Sequence, residues 1–186
     1  SGYDYATVKY DTSGNQVWAV RYNGPGNSDD RAHGIALDSY GNVYVTGESK
    51  GSGSSLDYAT IKYNSSGNQI WAKRYNGPAN YTDIAYAIAA DSNGNVYVTG
   101  ESKGSGTCLD YGTIKYDTNG NQIWVKRYNN PANADDPAYA VAIDGSGNVF
   151  VTGRTKTSSG YFDYATIKYA GSDGSQRQRL PQFDLA

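Results

Sequence analysis

The stretch DSNGNVYVTGESKGSG, residues 91–106, holds two carboxylates, a run of Asn and Gly, and a loose Ser/Gly/Lys segment. Taken alone it reads as a metal loop, a phosphate cradle, or a turn leading into a strand. Its copies separate these readings. GNVYV at 41–45 and GNVFV at 147–151 keep the same register, so Gly41, Gly94 and Gly147 recur at intervals of 53 residues. Trp18, Trp71 and Trp124 keep that interval, as do Asp57, Asp110 and Asp163, with Asp4 heading the series. No insertion or deletion breaks the register from Asp4 to Tyr169, and the chain is about three and a half copies of one unit. Self-similarity at such a period marks an architecture of stacked repeats.

In the copy from 85 to 128, four segments carry strand character: AYAIAAD (85–91), NVYVTGE (95–101), DYGTIKY (110–116) and QIWVKRY (122–128), here A to D in order. The A–B and C–D links are tight, and Gly or Asn supplies the positive φ that a hairpin turn requires. The other two links, ESKGSGTCLD and NNPANADDPAY, are long. No stretch repeats apolar residues at a helical period. With 23 Gly, 19 Tyr and no Met, the composition belongs to strands and turns. The expected fold is all-β, a β-propeller of four-stranded antiparallel blades. One such sheet cannot bury both faces, so units must stack. Trp71 and Tyr75 opposite Ile70 and Ala72 fit sheets covered on two sides. A parallel β-solenoid is the alternative, but its coils are shorter and lack paired tight hairpins.

The runs GIALDSYGNVYVTGES (34–49) and DYATIKYNSSGNQIWAKRYNG (57–77) resemble the SBBP-type β-propeller repeat of bacterial and archaeal surface proteins and, more distantly, the NHL repeat. That resemblance covers residues 1 to about 170. It implies a blade of an extracellular or cell-surface protein and no catalytic residues. YDTSGNQVW (10–18) is similar to a turn element of quinoprotein propellers, in which the Trp docks between blades; no quinone-binding residue matches, and no cofactor is expected.

The expected organisation is a single propeller or part-propeller domain over 1–186. It comprises a half blade of strands C and D at 1–23, blades at 32–76 and 85–128, a blade at 138–169 lacking a regular last strand, and a divergent tail at 170–186. Pairing the N-terminal C/D hairpin of one chain with the last A/B hairpin of another would close a ring of six blades without a free edge. Closure by further blades of a longer chain is the other expectation. The absence of an initiating Met and of a signal peptide suggests a processed protein or an excised piece.

Bulk properties exclude some partners. A net charge of −2 with acids and bases interspersed gives no reason to expect nucleic acid, and no hydrophobic run suits membrane insertion. The single Cys108 offers no internal disulfide. The Asp-x-Asn-Gly-Asn turns offer alternating oxygens, but a calcium loop needs a later bidentate carboxylate where a strand begins here, so no metal site is expected. Asx-stabilised hairpin turns explain all six copies. No catalytic set is expected: His33 stands where the other copies have Tyr86 and Tyr139, and the loop pairs Asp29/Asp30 and Asp135/Asp136 serve equally as acids of a glycosidase or as solvated loop residues. Asp57, Lys62 and Arg74 are expected to form one charged network per blade.

In a blade the A–B and C–D turns share one face and the B–C and D–A loops the other. The second face carries every long and pattern-breaking segment, with Arg31, His33, Tyr81, Arg154, Tyr161 and Phe162 in or beside its loops. Function concentrates on loops held by a rigid scaffold. The leading expectation is a non-catalytic scaffold or binding module for a protein or glycan. The alternative is a hydrolase or lyase with its active site at the central channel, completed by other blades. An enzyme would concentrate carboxylates at the inner ends of the A strands, and RAHGIA, DIAYAI and DPAYAV hold few.

Overall fold

The computed structural model describes residues 2–179, and these contain fourteen β-strands and no helix. β1 (Tyr5–Tyr10) and β2 (Gln16–Tyr22) form a two-stranded hairpin. Three four-stranded antiparallel sheets follow. The first holds β3 (Asp30–Leu37), β4 (Val43–Lys50), β5 (Leu56–Tyr63) and β6 (Gln69–Tyr75); the second β7 (Asp83–Ala90), β8 (Val96–Lys103), β9 (Leu109–Tyr116) and β10 (Gln122–Tyr128). The third holds β11 (Ala138–Ile143), β12 (Asn148–Lys156), β13 (Phe162–Ala170) and β14 (Gln176–Arg179), and every sheet keeps chain order.

The last unit departs from expectation. Residues 176–179 supply a short fourth strand, in which Lys168 pairs with Gln178 where Lys115 pairs with Trp124. The turn before it is one residue longer than its counterpart, since Ala170 N donates to Ser175 O whereas Asp117 N donates to Asn121 O. The rest of the expected tail, 180–186, lies outside the described residues. β13 also pairs with β12 along its whole length. The outer edge of the last A/B hairpin is occupied by the chain's own β13.

Successive sheets stack through bonds that repeat with the sequence. The hydroxyls of Tyr5, Tyr58 and Tyr111 donate to the carbonyls of Ala59, Gly112 and Ala165 in the next sheet at 3.3, 3.2 and 3.0 Å. The indoles of Trp18, Trp71 and Trp124 donate to Ser65 O, Thr118 O and Gly171 O at 3.1, 3.2 and 3.3 Å. The same three carbonyls accept from Lys9, Lys62 and Lys115 at 3.2, 3.0 and 2.7 Å. Around these bonds Tyr44, Tyr58 and Trp71 pack on Ile88, Val96, Val98 and Ile114, and the other two interfaces repeat the pattern.

Burial follows coverage. β4 and β5 are buried almost throughout, as strands covered on both faces should be. β12 alternates, and Tyr164 is 53% exposed where its counterpart Tyr58 is 1% exposed. At the other end Val8 is 41% exposed and its counterpart Ile61 0%. The outer faces of the end units are uncovered. Inter-sheet approach centres on β3, β7 and β11, so the sheets converge on their first strands.

Two bulges recur. In the D strands, pairing skips Ile70 between Gln69 and Trp71, and Ile70 is exposed, whereas Trp71 and Tyr75 pack on one neighbouring cluster and Ala72 on the other, so two-sided covering holds for all but Ile70. In the A strands, pairing skips His33, Tyr86 and Tyr139. Opposite each A bulge stands a Gly, because the backbone closes in: a Cβ at Gly47, Gly100 or Gly153 would lie 2.0, 1.9 or 2.1 Å from the carbonyl oxygen of Arg31, Ile84 or Pro137. Trp71→Ala is expected to cost about 3–5 kcal/mol in chemical denaturation, and Ile70→Ala no more than about 0.5 kcal/mol. Gly100→Ala is expected to lower the melting temperature and disturb β7–β8 amide protection, measured by hydrogen exchange.

Candidate functional site

The tight turns use their carboxylates internally. Asp91 Oδ1 accepts from the amides of Asn93 and Asn95, both at 2.9 Å, and Oδ2 from Asn95 Nδ2 at 2.8 Å, while Gly94 takes φ of 79°. Asp11, Asp38, Asp117 and Asp144 repeat the arrangement, and Asn64 supplies its backbone half. The Asn15 side-chain and backbone amides hold the Asp11 carboxyl below the usual range, and Asn148 does the same for Asp144. Among the described residues no group of three or more His, Cys, Asp or Glu is placed to hold a metal. Turns of both kinds line one hollow, formed by Asp91, Asn95, Gly147, Gly171 and neighbours, so they share a face as expected.

The opposite face is built on buried aspartates. Asp83 Oδ2 accepts from Gly77 N at 2.6 Å and its Oδ1 from Lys103 N at 3.2 Å, tying the D–A loop to the end of the second strand. Asp30 and Asp136 do the same with Gly24 and Lys50 and with Asn130 and Lys156. One member of each loop acid pair is thereby structural. Asp29 binds Arg31 at 2.7 Å, and Asp135 accepts from Leu109 N at 3.3 Å. The expected charged network divides: Arg74 binds Asp57 at 2.8 Å and Ser49 O at 2.6 Å, and Arg127 binds Asp110 at 2.8 Å, but Lys62 reaches into the next sheet instead. Asp163 forms no such ion pair within the described residues.

The six expected contact residues fall into three groups. Arg31 and His33 meet at Glu48: Arg31 Nη1 lies 2.9 Å from Oε1 and His33 Nε2 3.8 Å from Oε2. Arg154 lies over the Phe162 ring at 4.6 Å, beside the exposed Tyr161. Tyr81 sits under Lys103 Nζ at 4.4 Å, apart from the others. Cys108 is exposed on the same loops.

Reading the A strands alone missed a second-strand contribution. Glu48 and Glu101 come from β4 and β8 and reach the bulge residues His33 and Tyr86, and Arg154 holds the same position on β12. The three bulge rings form a row, with His33 and Tyr86 centroids 5.8 Å apart and Tyr86 and Tyr139 5.4 Å apart. Burial pushes the Glu101 carboxyl above its usual range, although the Tyr86 hydroxyl donates to it and Arg154 lies near. The legible signal was Val-Thr-Gly followed by Glu, Glu and then Arg, one residue past the glycine that the bulge requires.

Residues 17–53, 70–106 and 123–160, more than half of the chain, match the SBBP model, described as a beta-propeller repeat. Each match runs from the D strand of one sheet through the second strand of the next. The chain is also similar to an uncharacterized WD repeat-containing protein of Acanthamoeba polyphaga mimivirus, 28% identical over 185 residues that cover 90% of this chain and 12% of that protein. It spans about an eighth of that relative's length.

Asp57→Ala leaves Arg74 without its carboxylate and is expected to destabilise by about 1–3 kcal/mol in urea titration. The turn carboxyls of Asp11, Asp38, Asp117 and Asp144 give a pH signature. Their folded pKa is depressed, so their contribution is present above the unfolded value of about 3.9 and lost as pH falls through the folded one. Asp83 and Glu101, raised by burial, act in the opposite sense. An Asp11→Asn, Asp144→Asn double variant, for which Asn64 is the natural precedent, is expected to melt below wild type at pH 6 and approach it at pH 2.

Proposed function

The chain belongs to the SBBP β-propeller repeat family, and from that premise we propose a non-catalytic scaffold and binding module of a surface or secreted protein that contacts a protein or glycan through its long-loop face. The observation that carries this is the difference between the two faces. On one, turn carboxylates and amides satisfy each other. On the other, Tyr81 with Lys103, and Phe162 and Tyr161 with Arg154 and Lys156, present aromatic and cationic groups on loops fastened by buried aspartates. Aromatic rings among Ser, Gly and Asn make adaptable contact surfaces at low entropic cost. The surface setting rests on the resemblance of the repeat to those of surface proteins.

The uncovered end faces support closure by further units of the same kind, either of a longer chain or of a second copy. Val8 and Tyr164 occupy positions that a neighbouring sheet covers elsewhere in the chain. The enzymatic alternative draws on one observation, the raised Glu101 carboxyl beside the converging strands.

Screening on glycan and peptide arrays, followed by variants, tests the binding reading. A Tyr81→Ser, Phe162→Ser variant is expected to lose at least tenfold in affinity for any ligand found, and Tyr40→Ser on the turn face to change it less than twofold. The reverse pattern would refute the reading. Light scattering separates the modes of closure: a multimeric mass supports a second copy, and a monomer eliminates it.

A further inference from the structure

The row of bulge residues breaks its own repetition where two units meet. In the first unit Arg31 neutralises Glu48 and His33 stands beside it, so the set is satisfied internally. In the second, the position of Arg31 holds Ile84, and Glu101 has no arginine of its own. In the third, Pro137 takes the first position and Arg154 takes that of the carboxylate. The result is one acid and one base on adjoining sheets, flanked by Tyr86 and Tyr139. Tyr139 is 46% exposed, and Glu101 is only half-buried. Structural positions in this chain repeat, whereas a site that acts once need not.

We infer that Tyr86, Tyr139, Glu101 and Arg154 form a binding site for a neutral saccharide. The sugar lies with its C–H face on the tyrosine rings, and its vicinal hydroxyls donate to the Glu101 carboxylate and accept from the Arg154 guanidinium. Three features select this chemistry. Bulges re-aim side chains, and here they set rings side by side on the first strands of adjoining sheets. Aromatic walls with a few convergent polar groups suit a small ligand. The charges oppose any ion: Arg154 disfavours a cation at Glu101, and Glu48, Glu101 and Asp135 disfavour an anion. A ligand that both donates and accepts without net charge fits all of them.

The inference rests on the binding reading above and names its ligand chemistry. Saturation-transfer NMR and calorimetry with methyl glycosides of galactose, glucose and mannose, N-acetylglucosamine and their short oligomers test it. Wild type is expected to bind at least one of these. Tyr139→Ala and Glu101→Gln are expected to weaken it at least tenfold with unchanged melting profiles, and Tyr40→Ser on the turn face less than twofold. Absence of binding to every sugar overturns the inference, as does binding that survives Tyr139→Ala. Loss of sugar binding in Tyr161→Ser alone overturns it and leaves the long-loop face as the contact surface. Loss in Tyr40→Ser alone overturns both. Preference for a trimethyl-lysine peptide over every sugar overturns it in favour of a cation cage.

Discussion

One backbone carbonyl in each C–D turn accepts from two donors of the preceding sheet, an indole N–H and a lysine ammonium. Ser65 O, Thr118 O and Gly171 O all do so. A four-stranded sheet of this size has no interior of its own and becomes stable only by covering its faces with neighbours. The shared carbonyl fixes the angle and register of that covering. The indole brings large apolar area, and the ammonium reaches the carbonyl over the aromatic ring of its own sheet, as Lys62 does over Tyr44. Tyr58 makes the parallel bond across the sheets to Gly112 O. Between these anchor points the Val and Ile side chains need only fill space.

This constraint explains which sequence features were legible. Tight turns, strands and the Trp series follow from local rules, and hairpin chemistry identified the A–B and C–D links correctly because Asp, Asn and Gly each satisfy a specific backbone demand there. Two of the A strands begin two residues earlier than their pattern suggests, at Asp30 and Asp83. Lysine 62 was legible as a repeated charge but not as a link between sheets, since its partner lies 56 residues away. The last strand was hidden by one additional turn residue, which moved Gln178 into the indole position.

The candidate site was legible in its loops and invisible in its centre. Arg31 and His33 could be placed beside the long-loop face from connectivity alone. Their meeting at Glu48 could not, because the carboxylate arrives from the neighbouring strand across a bulge that no propensity announces. The glycine of Val-Thr-Gly was visible as a repeat mark. Its cause is the close approach of the bulged backbone, which a sequence period does not reveal.

The longer final turn also gives the array a direction. The repeated tyrosine, indole and lysine bonds at each interface run from donors of one unit to acceptors of the next. The first hairpin presents a complete donor set, but the last sheet has exchanged its indole for Gln178 and has lost the largest of its donors. The two ends are therefore unequal as growth points. A unit stacked on the last sheet would meet Gln178 where each internal interface presents an indole.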